Sequence, residues 1–367
     1  MDVYIKALTL VSIFIFSSTA YSKENMKFHM QNIFTSYVEL FKGDIPQSKK
    51  QKNLHNLEKY LLSSKVDKLI DSPVMTPIRK TIKESFKEIK VAHEKGEKDY
   101  VDYRIKNLIF TCIACHSQLP SKVFKSVKAR SAYKDLNFFD QFNMAKLLRD
   151  YPMASQLLLI ELDKDIKHLR GFRKIEEKLD SLVVIYLTHL DDSKKLLKEL
   201  KRLSINSNYS LLITNYSESI EKQLKAWKGV ELGKSNVFNL INKYLKPIES
   251  ELSDLQYKSH EYLVTTSIMK STLSQYILTS FDTDKLPEAL YWRGLIESEY
   301  SSLDLYSLGE LYHTECILKF PKSRFAKKCY KKLEDTIKHG FTGSSGTHIP
   351  EATKNELKRL KALTKTK

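Results

Sequence analysis

The densest chemistry in the chain lies in one short run, Thr111–Ser117, which reads T-C-I-A-C-H-S. Cys112 and Cys115 are three apart, so on a helix both thiols leave the same face one turn apart. That spacing lets them add to the two vinyl groups of one haem. His116 follows directly and is placed to give the iron an axial imidazole. C-x-x-C-H is the attachment signature of a covalent c-type haem. Two other chemistries use similar residues. A thioredoxin-like dithiol wants a strand before the motif in a βαβ setting, which the periodicity does not show. A zinc site wants a second Cys/His pair at fixed spacing. The other histidines (His55, His93, His168, His189, His260, His313, His339 and His348) are scattered and make no i, i+4 pair.

Covalent haem attachment takes place outside the cytoplasm, so the chain should be exported. Residues 1–22 read MDVYIKALTLVSIFIFSSTAYS, with Lys6 before an apolar core from Ala7 to Phe16 and with Ala20 and Ser22 as cleavage candidates. This is the layout of a secretory signal peptide, and the core is too short to span a bilayer. An uncut anchor is the other reading. The expected location is periplasmic or otherwise exported.

The elements that must position the motif follow from apolar spacing. Met26, Met30, Ile33, Tyr37 and Leu40 form one helical stripe, which Gly43 and Pro46 interrupt. Leu54, Leu57 and Leu61 mark a second helix. Thr76-Pro77 opens a third, which carries Ile78, Ile82, Phe86 and Ile89 to the turn around Gly96. Val101, Ile105, Leu108, Ile109 and Cys112 line one face of a fourth, closed by Pro120. With 42% hydrophobic residues and only 10 Gly and 9 Pro in 367, the chain is neither disordered nor collagen-like. The expected fold is all-α, with an up-and-down four-helix bundle over residues 23–125 and a second helical domain over 126–367.

A bundle whose last helix carries Cys112-Ile113-Ala114-Cys115-His116 resembles the class II cytochromes c, the cytochrome c′ and c-556 family. The resemblance covers residues 23–125. It implies one covalent haem c bound by Cys112, Cys115 and His116, with His116 as proximal ligand. Low-spin members of that family take a Met from the first helix as second ligand, which makes Met30 the candidate here. A Met on a helical stripe also serves as core filler. His29 lies off the centre of the stripe.

Beyond residue 125 the runs Leu157–Ile160 and Leu182–Leu187 are uniformly apolar and read as buried helix. Pro247, Pro287, Pro321 and Pro350 punctuate successive helices. Cys316 and Cys329 flank Pro321 on what reads as a helical hairpin, and in an oxidising compartment they are expected to pair; two buried thiols are the alternative. Tyr291-Trp292-x-Gly294 and Lys319-Phe320-Pro321-Lys322-Ser323 with Ala326 resemble tetratricopeptide-like helix pairs, in which Gly294 would let two helices approach closely. Lys194–Arg202 (KKLLKELKR) is a basic amphipathic helix, read as a solvated face or as a membrane or partner contact. The run Gly343–Gly346 (GSSG) reads as a flexible loop, either a turn and cap or an anion cradle.

The expected function is electron transfer rather than catalysis. Haem-based NO or CO binding and a periplasmic interaction scaffold are the alternatives. Formal charge is +17, and residues 23–125 hold 20 Lys+Arg against 12 Asp+Glu, the denser share. In an exported protein nucleic acid does not explain that excess. It suits an acidic redox partner or an anionic membrane surface.

Overall fold

The computed structural model describes residues 28, 30–40, 45–62, 75–118, 131, 133–205, 208–253, 260–280, 284–299, 308–344 and 346–365. The segment 1–22 read as a signal peptide, Met26, His29 and Pro120 lie outside them. The chain divides into two compact units, Met1–Leu108 and Ile109–Lys367.

In the first unit α1 (residues 30–40), α2 (Gln47–Leu61), α3 (Met75–Glu94) and the start of α4 (Lys98–Gln118) bury the stripes read from spacing. Ile33, Tyr37 and Leu40, then Leu54, Leu57 and Leu61, then Ile82, Phe86 and Ile89, then Val101, Ile105 and Leu108 are all buried. Neighbouring helices are tied by Lys49–Glu39 at 2.6 Å, Lys90–Glu58 at 2.8 Å and Arg104–Glu88 at 2.5 Å. The Tyr37 hydroxyl donates to the Ile105 carbonyl and closes α1 on α4. The start of α2 meets the end of α1 at Glu39, the end of α3 at His93 and the start of α4 at Asp102. The helices therefore alternate in direction as an up-and-down bundle. Gly96, at φ +76°, turns the chain between α3 and α4 in a conformation that suits glycine.

The second unit is built of helical hairpins. Its elements are α5 (Phe138–Leu147), α6 (Tyr151–Lys167), α7 (Phe172–Val184, continuing as the π-helical Ile185–Leu190), α8 (Ser193–Ser204), α9 (Ser210–Ala226), α10 (Val237–Leu240), α11 (Leu263–Thr279), α12 (Leu286–Glu299), α13 (Leu308–Lys319), α14 (Arg324–Gly340) and α15 (Glu351–Leu363). Side-chain caps start several of them. Asn137 accepts from the Asp140 amide at 3.0 Å, Asp150 from Met153 at 3.3 Å and Asp192 from Lys195 at 2.9 Å. Consecutive helices pair: α5 with α6, α8 with α9, α12 with α13 and α13 with α14. Leu157–Ile160 lies in α6, and Leu182–Leu187 runs from α7 into its π-helical end. The GSSG run is not a free loop. Thr342 pairs with Thr347 and Gly343 with Gly346 in a short antiparallel hairpin, because Gly346 takes φ +106° and the two threonine hydroxyls meet at 2.7 Å. Among the described residues no helix is long and apolar enough to cross a membrane.

Candidate haem-attachment site

The site is built on α4. Asp99 in its first turn faces the positive end of the helix dipole. From there Val101, Ile105, Leu108, Ile109, Cys112 and Ile113 are buried at the spacing of a single stripe. Cys112 is 6% exposed and occupies a place on that stripe where an aliphatic residue would otherwise stand. The helix is unbroken from Lys98 to Gln118. Cys112 and Cys115 therefore lie on successive turns, and His116 follows on the same helix. The side chains of Cys115 and His116 are not among those described.

The donor set suits a covalent haem. Two thiols one turn apart and an adjacent imidazole are carried by one rigid element, and the thiol that is described sits in an apolar stripe. The thioredoxin-like alternative is not supported, because the residues leading into the motif from Lys98 onward are helix and not strand. Among the described residues no group of three or more His, Cys, Asp or Glu is arranged to hold a metal ion.

The other residues singled out by sequence stand elsewhere. Met30 is half-buried on α1, within the first unit. Cys316 on α13 and Cys329 on α14 form a disulfide with their Cα atoms 6.4 Å apart. Gly294 does let α12 and α13 close: a Cβ there would lie 2.7 Å from the His313 ring. The basic helix α8 buries Leu196, Leu200 and Leu203 and pairs with α9, so its apolar face is used inside the unit.

One buried feature escaped the sequence reading. Lys270 on α11 meets Glu297 on α12 at 3.1 Å, and Arg293 pairs with the same carboxylate one turn away. Burial would raise the Glu297 carboxyl, but Arg293 and Lys270 outweigh it and hold it below the usual carboxylate range. Arg293 also donates to Ser274 at 3.1 Å and lies 4.9 Å from the Tyr312 ring centre. The available signal was an i, i+4 Arg/Glu pair inside the apolar run of α12. The cluster joins α11, α12 and α13 at their core.

No protein-family model, curated protein or solved structure matches the chain. The functional reading accordingly stands on this chain's own residues.

Proposed function

We propose that the chain is an exported monohaem c-type cytochrome that carries electrons. The observation that carries this reading is the C-x-x-C-H run on one continuous helix, with Cys112 set in its buried apolar stripe. When bound, the haem supplies reversible one-electron chemistry at its iron.

The protein's residues do the rest. Cys112 and Cys115 would each hold the haem by a thioether, the S–H adding across a vinyl group so that no external oxidant is needed. Two tethers on successive turns of one helix would fix the haem's orientation, and His116, next along the chain, would supply an imidazole nitrogen to its iron. Ile105, Leu108, Ile109 and Ile113 give the anchoring helix an apolar face, and low local polarity is one of the levers by which a protein tunes such a centre. Met30 is the candidate second ligand.

The test is a denaturing haem stain of protein made with a c-type maturation apparatus. Wild type should stain, the single variants Cys112→Ala and Cys115→Ala should stain weakly, and the double variant should not stain. A double variant that stains like wild type contradicts the proposal.

A further inference from the structure

We propose that one end of the second unit docks on an anionic lipid bilayer. Leu169, Ile205, Leu211 and Leu212 would enter the headgroup region, and Lys167, Arg170, Lys174 and Lys201 would engage the lipid phosphates. This inference is independent of the haem reading.

The surface is made by the residues that follow α6 and by the described residues where α8 ends and α9 begins, and these lie side by side. The Tyr209 hydroxyl donates to the Arg170 carbonyl at 2.7 Å, the Phe172 and Tyr209 rings are 5.8 Å apart, and Arg202 reaches Asp163 at 3.0 Å. On this joined end four aliphatic side chains face solvent: Leu211 is 72% exposed, Leu169 59%, Ile205 58% and Leu212 43%. Packing does not require them, since α8 and α9 fill their interface with Leu196, Leu200, Leu203 and Ile213. Leu169 also adopts φ +54°, a left-handed conformation that favours glycine or asparagine. That conformation ends α6, with the Arg170 amide donating back to the Asp165 carbonyl at 3.0 Å, and it leaves the leucine side chain outside.

Charge chooses the partner. Lys167, Arg170, Lys174 and Lys201 are exposed and make no ion pair among the described residues. The nearby carboxylates Asp163 and Glu199 are taken by Arg202, and Glu177 by Arg173. The exposed aliphatic side chains stand beside exposed cations along the chain: Leu169 lies between Lys167 and Arg170, and Ile205 follows Lys201 by four residues. They match an interface that is apolar below and anionic above. The membrane contact suggested by the basic helix α8 thus moves from its face, which is buried, to its end.

The test uses the full chain carrying Leu211→Trp, mixed with vesicles of phosphatidylcholine alone or with phosphatidylglycerol. The native Trp227 and Trp292 are 8% and 1% exposed, so new emission changes report position 211. With anionic vesicles the emission should shift to the blue and be quenched by brominated acyl chains. Adding Arg170→Glu and Lys174→Glu should weaken this binding about tenfold or more. All these side chains are exposed, and unchanged circular dichroism will show that the fold is intact. Emission unaffected by anionic vesicles would overturn the proposal. So would an equal response to neutral vesicles, or a shift that depends on protein concentration without lipid, which would assign the surface to a second copy of the chain.

Discussion

Met30 and Asp180 show what single residues contribute. If the Met30 thioether is the second axial ligand, Met30→Ala should convert a low-spin oxidised spectrum to a high-spin one, whereas an unchanged spectrum would remove Met30 from that role. Asp180 concerns stability. Burial pushes its carboxyl up to about 6 from 3.8, although the Tyr216 hydroxyl donates to it at 2.7 Å. A raised value means that the folded state holds the proton more tightly than the unfolded chain. This contribution is complete below pH 3.8 and is lost as the pH rises through about 6. Asp180→Asn should remove that loss, so the variant's Tm should fall less than the wild type's between pH 4 and pH 7. Identical pH profiles would contradict the assignment. His313 works in the opposite direction. Burial and the charge of Lys332 lower its imidazole to about 3, so the folded state stays neutral where the unfolded chain takes up a proton. Its contribution to stability is complete above pH 6.5 and is lost as the pH falls from there to about 3.

At the scale of elements the α13–α14 hairpin is clamped by Cys316–Cys329, thirteen residues apart in sequence. A loop of that size corresponds to about 3 kcal/mol of restricted unfolded-chain entropy. Replacing both cysteines by serine should lower stability by roughly that amount in denaturant titration, and no change in midpoint would show that the bridge does not constrain the chain. The helices themselves were legible. Stripes such as Val101, Ile105, Leu108 and Cys112 repeat at the helical period because one face of each helix must be buried. The motif residues could be named from spacing alone, since C-x-x-C-H fixes its own geometry once it lies on a helix. Other features left weaker traces. The π-helical end of α7 has the same apolar run as an ordinary helix, and the Lys270–Arg293–Glu297 cluster adds to the i, i+4 pair of α12 a lysine from α11 that no local pattern relates to it. The four solvent-facing leucine and isoleucine side chains at the paired turns were hidden for a similar reason. Sequence shows that a residue is apolar, but only packing shows that it is left outside.

For the whole molecule, the basic excess bears on the proposed redox partner. Cations at the predicted density over residues 23–125 should steer an acidic redox partner. The second-order electron-transfer rate with such a partner should therefore fall steeply as salt shortens the Debye length, and a rate independent of ionic strength would contradict this. The central claim is that the chain carries one covalent haem. It is tested most directly by the intact mass and the alkaline pyridine absorption spectrum of protein purified after export with a c-type maturation system. The mass should be increased by one haem, and the reduced spectrum should be that of a haem with both vinyl groups saturated. A mass equal to the polypeptide alone, with no visible absorption, would contradict it.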